Sequence, residues 1–204
     1  MFDFARIIGF ALATYPLVFI IFFPALWFAH RQLGKPFGRK RITILFLLGL
    51  SIYGPLLLTN LPLPDDFAAF CERTGGLKPR LEPFQFIPPA KYFLSELVRK
   101  GVILNIPFLW ESFLNFWMLF PAGVIFRVLK KRNILMPIMI AVASSLLLEM
   151  TQLTGIWGLI GCAHRTFDVD DIILNSSGFL AGWIAMSILF AISAWYSRRV
   201  KSNV

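Results

Sequence analysis

Five long apolar runs constrain what this chain can fold into. Each is close to the roughly 20 residues that an α-helix needs to cross the hydrocarbon core of a bilayer. Hydrophobic residues make up 57% of the 204 residues and charged residues 15%, whereas about a quarter of a soluble domain is charged. We predict an all-α, polytopic membrane bundle forming a single domain over 1–204, with spans at approximately 7–28, 42–60, 107–129, 134–153 and 172–195.

The segment between the second and third spans, 61–106, has a different composition. It carries charges of both signs and several prolines, and its part from 90 to 105 has an amphipathic pattern. That pattern predicts a short helix lying along the membrane interface. Pro16 and Pro24 fall inside the first span and predict kinks there, while Pro107 is suited to the start of the third span.

The distribution of basic residues predicts the orientation of the chain. The net charge is +9, and the excess follows the first, third and fifth spans rather than forming a soluble basic face, which argues against a nucleic-acid partner. Cytoplasmic loops of membrane proteins are enriched in Lys and Arg. We therefore expect a multi-pass protein of the plasma membrane with its amino terminus outside, its carboxy terminus cytoplasmic, and 61–106 and 154–171 outside. The basic residues are Arg31, Lys35, Arg39, Lys40, Arg41, Lys130, Lys131, Arg132, Arg198, Arg199 and Lys201.

Polar side chains fall in the halves of the last three spans that are predicted to open outward. Ionisable groups within a span cost about 2.5–3.5 kcal/mol at its centre, and they mark functional sites by default. Neutral amides can instead bond neighbouring helices, and glycines four apart usually allow close helix packing. The polar residues are Glu111, Asn115, Glu149, Gln152, Asp171 and Asn175, and the glycines are Gly178 and Gly182.

Three aspartates lie close together just before the fifth span. Asp168, Asp170 and Asp171 follow Arg165, and one of them is expected to cap the helix. With Glu149, the group could bind a divalent cation through oxygen, pair with Arg165, or share a proton in acid–base catalysis. Glu149, Asp168 and Asp171 are thus the candidate catalytic and metal residues, and the pattern leaves the three alternatives open.

The only two cysteines are Cys71 and Cys162. Both are predicted to lie outside, where an oxidising compartment permits a disulfide. If paired, they would hold the 61–106 segment over the loop that carries Arg165. Two unpaired apolar cysteines are the alternative.

The motifs from Glu149 onward resemble those of the VanZ-like family. They are Glu149-xx-Gln152, then Arg165-xx-Asp168-x-Asp170-Asp171 followed by Ile172, then Asn175-xx-Gly178-xxx-Gly182, and the resemblance covers approximately 84–190. Upstream, Asn115 with Phe120-Pro121-x-Gly123 is similar to a further family helix. The loop 154–164 is longer and more apolar than the family's usual connection.

The resemblance implies a cell-envelope membrane protein of a family linked to resistance to the glycopeptide antibiotic teicoplanin. Its outward polar pocket would bind a lipid, a lipid-linked glycan or such an antibiotic. Two alternatives remain. The protein could be a membrane enzyme that acts on a lipid-linked substrate and holds a divalent cation, or it could be a structural partner of a membrane complex. The predicted ligand-binding residues are Arg165, Gln152, Asn115, Asn175, Glu111 and Asp170.

Overall fold

The computed structural model describes residues 4–32, 34, 37–101, 107–129 and 133–202. These residues form helices and no strand, which confirms the all-α prediction. The helices are α1 (Phe4–Gln32), α2 (Arg39–Asn60), α3 (Phe67–Thr74), α4 (Ile87–Lys100), α5 (Pro107–Met118), α6 (Phe120–Leu129), α7 (Leu135–Leu153), the single turn α8 (Gly155–Gly158) and α9 (Val169–Ser202).

Five stretches of helix are long and apolar enough to cross a membrane: Arg6–Gln32, Arg39–Asn60, Leu109–Leu129, Leu135–Leu153 and Val169–Val200. Five helices long and apolar enough to span a membrane are thereby confirmed, and the last begins three residues before the predicted 172. The amphipathic helix predicted over 90–105 is α4, which begins at Ile87 and ends at Lys100 before the left-handed Gly101. The predicted basic residues Lys35, Lys130, Lys131 and Arg132, and the end of the helix predicted to Asn105, lie outside the described residues.

The chain divides into two compact units, Met1–Leu63 and Pro64–Val204. In the first, α1 and α2 pack as a helical hairpin. The buried Tyr15 hydroxyl donates to the Phe46 carbonyl at 2.7 Å, and the Thr14 and Tyr53 hydroxyls lie 3.0 Å apart. Helix α1 continues through both Pro16 and Pro24. Polar groups and aromatic rings therefore hold this pair of helices together.

In the second unit, α9 packs against α5, α6 and α7. Its glycines allow backbone to meet backbone: a Cβ added at Gly178 would lie 1.6 Å from the Phe116 carbonyl oxygen, and one at Gly182 would lie 2.2 Å from that of Phe120. Gly123 of α6 makes the reciprocal contact with the Phe179 carbonyl. The close helix packing predicted from the glycine spacing is confirmed.

The third span is broken at Leu119, whereas the sequence predicted one continuous helix over 107–129. Pro121 explains the break, because it has no N–H to donate to the carbonyl of Trp117 and its ring crowds that carbonyl. The pairings of Gly178 with Phe116 and Gly182 with Phe120 show that α5–α6 runs parallel to α9. Helix α7 runs antiparallel to α9, since Glu149 contacts Asp168 and Ser145 contacts Asp171.

Replacing Gly178 with alanine should destabilise the protein, because the new methyl group would overlap the Phe116 carbonyl unless α9 moved away from α5. Overpacking of this kind costs about 1–3 kcal/mol. Gly54→Ala is the matched control, since a Cβ there meets no atom within 4 Å. Thermal unfolding of the purified variants in detergent should show a lower midpoint for Gly178→Ala alone; equal midpoints would contradict the close contact.

Candidate functional site

The amino-terminal end of α9 is held by a network of carboxylates. Asp168 precedes the helix and its side chain accepts the Asp170 backbone N–H at 2.9 Å, which makes Asp168 the capping residue. The Asp168 N–H in turn donates to Glu149 Oε2, also at 2.9 Å. Glu149, at the carboxy-terminal end of α7, is therefore fixed by the chain that enters α9.

Asp171 lies in the first turn of α9 and belongs to the same network. Its carboxylate accepts a hydrogen bond from the Asn115 side chain on α5, and its backbone carbonyl accepts one from the Ser145 hydroxyl on α7 at 3.4 Å. Glu149 is close enough to Asp171 to interact with it electrostatically. Three predicted site residues from three helices, Asn115, Glu149 and Asp171, are thus brought together.

Three side chains of this region, Glu149, Asn175 and Ser176, are buried with polar atoms that have no hydrogen-bond partner among the described residues. Glu149 is 1% exposed and its Oε1 is unpaired. Asn175, one turn beyond Asp171 on α9, is 0% exposed, and both its amide nitrogen and its amide oxygen are unpaired. Such groups are few in native proteins, and each calls for an explanation such as a water molecule or a ligand.

Arg165 supplies a positive charge near this network. Burial lowers the pKa of its guanidinium, while Glu111 and Asp171 act in the opposite direction by favouring the charged form. The predicted residue Glu111 is exposed but within electrostatic reach of Arg165. The predicted Gln152, on α7, is buried, as is His164 next to Arg165.

Residues 77–86 form a strap over the start of α9 that the sequence did not predict. Arg80 pairs with Asp168 in a short parallel bridge, donating its N–H to the Phe167 carbonyl at 2.8 Å and accepting the Val169 N–H at 3.1 Å. Its guanidinium also forms an ion pair of 3.3 Å with the Asp168 carboxylate. Arg80 stands in a proline-rich segment without helical or strand periodicity, so only its charge hinted at this role.

Asp170 secures the other end of the strap. Its carboxylate oxygens accept the backbone N–H groups of Phe84 and Phe86, the second at 3.2 Å. Phe84 has a φ of 67°, a left-handed conformation that costs energy for a residue with a side chain. Asp170, predicted as a ligand-binding residue, is thus occupied in holding this turn.

Cys71 and Cys162 form a disulfide, which is one of the two alternatives that the sequence left open. The bond joins α3 to the loop before Arg165, and the Leu77 N–H donates to the Ala163 carbonyl at 2.9 Å beside it. The loop turns tightly at Gly155, whose φ is +60° and where a Cβ would lie 2.3 Å from the Cys162 carbonyl oxygen. The strap is therefore anchored at both ends.

The carboxylates of the network have protein partners rather than the geometry of a metal site. Among the described residues, no group of three or more histidine, cysteine, aspartate or glutamate side chains is arranged to hold a metal ion. The candidate ligand Asp168 bonds the Asp170 N–H and Arg80, and the candidate Asp171 bonds Asn115. These contacts describe a hydrogen-bonded network, beside which Glu149 Oε1, the Asn175 amide and the Ser176 hydroxyl have no partner among the described residues.

Comparison with known proteins gives one family. The family model described as VanZ/LLP1 matches residues 10–190. No curated protein and no solved structure matches the chain. The matched range extends upstream of 84–190, the range that the family-like motifs cover.

Asp170→Ala should loosen the strap, because it removes the acceptor of the part-buried Phe84 and Phe86 N–H groups, and a lost hydrogen bond costs about 0.5–1.5 kcal/mol. Trypsin should then cut the purified protein faster after Arg80; the bond after Lys78 resists because Pro79 follows. Cleavage after the exposed Arg73 provides an internal reference, and Asp65→Ala, at an exposed carboxylate, is the control. Unchanged cleavage at Arg80 would show that Asp170 does not secure the strap.

Proposed function

Since this chain belongs to the VanZ/LLP1 family, we propose that it acts in the cell envelope by binding the polar head of a lipid or lipid-linked glycan. The binding residues are Glu149 and Asn175, with Arg165 beside them. The membrane helices supply the apolar surroundings that such a ligand's tail requires. The ligand would approach from the outer face, in line with the basic residues that follow the first, third and fifth spans.

The observation that supports this proposal most directly is the pair of unpaired buried side chains. Glu149 Oε1 and the Asn175 amide have no partner among the described residues, although both side chains are almost completely buried. An unmet buried polar group costs about 1–3 kcal/mol. Asn175 alone leaves both a donor and an acceptor, so the cost is repaid if a ligand supplies the missing partners.

The chemistry of the unpaired atoms indicates the kind of ligand. A carboxylate oxygen needs a donor, and the Asn175 amide needs a donor and an acceptor. Sugar hydroxyls both donate and accept, so a glycan head group meets these requirements. The Arg165 guanidinium can pair with the phosphate that links a glycan to its lipid, since Arg and phosphate form bidentate hydrogen bonds.

The other predicted binding residues have roles consistent with this arrangement. Asn115 orients Asp171 through a hydrogen bond, and Glu111 lies near Arg165. Gln152 is buried one turn along α7 from Glu149. A lipophilic glycopeptide such as teicoplanin offers the same mixture of hydroxyl groups, amides and an acyl chain, and it is the third candidate ligand.

A membrane enzyme acting on the same ligand is the second candidate function. Glu149 favours it, because Oε2 is fixed by the Asp168 N–H while Oε1 is unpaired. A carboxylate oriented in this way can take a proton from a hydroxyl group of a bound substrate as a general base. In that case Glu149 would be catalytic, and Asp168 would be a positioning residue.

The test compares Asn175→Leu and Glu149→Gln with the parent chain. Each protein in detergent is titrated with a polyprenyl-phosphate-linked disaccharide, with phosphatidylglycerol and with teicoplanin, and bound ligand is counted by native mass spectrometry. Losing one hydrogen bond of about 1.4 kcal/mol should weaken binding about tenfold. Glu149→Gln keeps an oxygen for the Asp168 N–H, so the fold should persist.

Ser177→Leu is the matched control, because Ser177 lies on α9 two residues from Asn175 and is exposed. Asn175→Leu should leave thermal stability unchanged or raised, since leucine removes unpaired polar atoms, while ligand binding falls. Equal affinities for all variants, or no binding of any probe, would overturn the proposal. If the parent chain converts a probe to a product and Glu149→Gln does not, the result would favour the membrane-enzyme function.

A further inference from the structure

Arg127 lies at the opposite end of the second unit from Glu149. It stands in the last turn of α6, and its contacts on α9 centre on Ser187. Ser187 follows Asp170 by 17 residues, which places the two about 25 Å apart along the helix axis at 1.5 Å per residue. Arg127 is therefore separate from the network at the start of α9.

The guanidinium of Arg127 is held in one orientation by α9. Its Nε donates to the Ser187 hydroxyl oxygen at 2.7 Å, and that hydroxyl donates its own hydrogen to the Trp183 carbonyl at 2.8 Å. The guanidinium carbon lies 5.6 Å from the centre of the Trp183 ring and 5.1 Å from that of Phe190. These contacts use Nε and two aromatic rings, and none of them uses the two terminal nitrogens of the guanidinium.

No carboxylate balances the charge of Arg127 within the described part of the chain, where its side chain forms no ion pair. The sequence has no Asp or Glu between Glu111 and Glu149, and Lys130, Lys131 and Arg132 follow closely. A charged residue in a membrane span is expensive unless it is paired. An anion from outside the chain would balance this charge.

We propose that Arg127, oriented by Ser187, forms a binding site for a phosphate group at the end of the unit opposite to Glu149. A planar guanidinium with a free edge binds phosphate oxygens in pairs, and basic sites between membrane helices bind the head groups of anionic lipids. The phosphate belongs either to a membrane phospholipid or to a free phosphate ion. The two sources share the chemistry and are separated by experiment. The site does not depend on the function proposed for Glu149 and Asn175.

The test measures phosphate binding by the full chain in nanodiscs of phosphatidylcholine. One arm adds increasing phosphatidylglycerol and counts lipid retained after extraction into detergent, using native mass spectrometry. The other arm adds inorganic phosphate alone and follows it by isothermal titration calorimetry. The variants are Arg127→Gln, Arg127→Lys and Ser187→Ala. Arg198→Gln is the control, because it removes one exposed basic charge near the same end of α9.

Arg127→Gln should weaken binding at least about tenfold, the usual scale for one charge-assisted bidentate contact. Arg127→Lys should retain only part of the affinity, since lysine keeps the charge but not the planar edge. Ser187→Ala should also weaken binding while every charge is kept. Arg198→Gln should bind like the parent chain. Whichever arm responds to Arg127 identifies the source of the phosphate.

The proposal is overturned if Arg198→Gln weakens binding as much as Arg127→Gln, because general charge would then explain the effect. It is equally overturned if neither phosphatidylglycerol nor phosphate binds more weakly to Arg127→Gln, which would leave Arg127 as a side chain reaching water. Ser187→Ala keeps the test informative if Arg127→Gln unfolds, because the hydroxyl can be removed without burying or losing a charge.

Discussion

The rest of the second unit depends on the contact of backbone with backbone between α9 and α5–α6. Lipid tails are as apolar as leucine, so helices in a membrane gain little by hiding apolar side chains and must associate through close packing and hydrogen bonds. Gly178, Gly182 and Gly123 provide that packing, because each brings a main-chain carbonyl into the space of a missing Cβ. Asn115 can reach Asp171, and Arg127 can reach Ser187, because the helices are this close.

The start of α9 combines two kinds of polar contact. Asp168 accepts a backbone N–H of the helix, and Asp170 accepts two of the strap, so both acids have a structural role. Glu149 and Asn175 differ, because the described residues leave part of their hydrogen-bonding capacity unused. The difference separates the side chains that build the site from those with capacity left for a ligand, even though all four are buried.

The sequence predicts much of this fold, because hydropathy, glycine spacing and helix capping are local properties. The five spans, the close approach at Gly178 and the involvement of Asn115 with the acids follow from short patterns. The predicted start of the last span at 172 is three residues late, because the apolar run begins there. Acids are favourable in the first turn of a helix, so the helix can begin before the apolar run. Helix α9 therefore includes Asp170 and Asp171.

The strap could not be predicted, since its contacts join residues far apart along the chain. Arg80 meets Asp168 through a bridge of only one residue pair, which leaves no periodic signal. Asp170 is predicted to bind a ligand because it belongs to the acid cluster and to the motif that resembles the VanZ-like family, and a pattern of residue types does not show that two backbone N–H groups lie within its reach. The disulfide was predictable only because the chain has two cysteines.

Helix α9 runs from Val169 to Ser202 without a proline, in contrast to the third span, which breaks at Leu119. An uninterrupted helix transmits a tilt or a displacement along its whole length. Asp168 caps helix α9, and Ser187 lies within the same helix. A displacement of the start of α9 against α7 would therefore also move Ser187 relative to α6. The third span lacks this continuity, because α5 ends at Met118 and α6 begins at Phe120. The second unit therefore packs one continuous helix, α9, against a span that is divided into two helices.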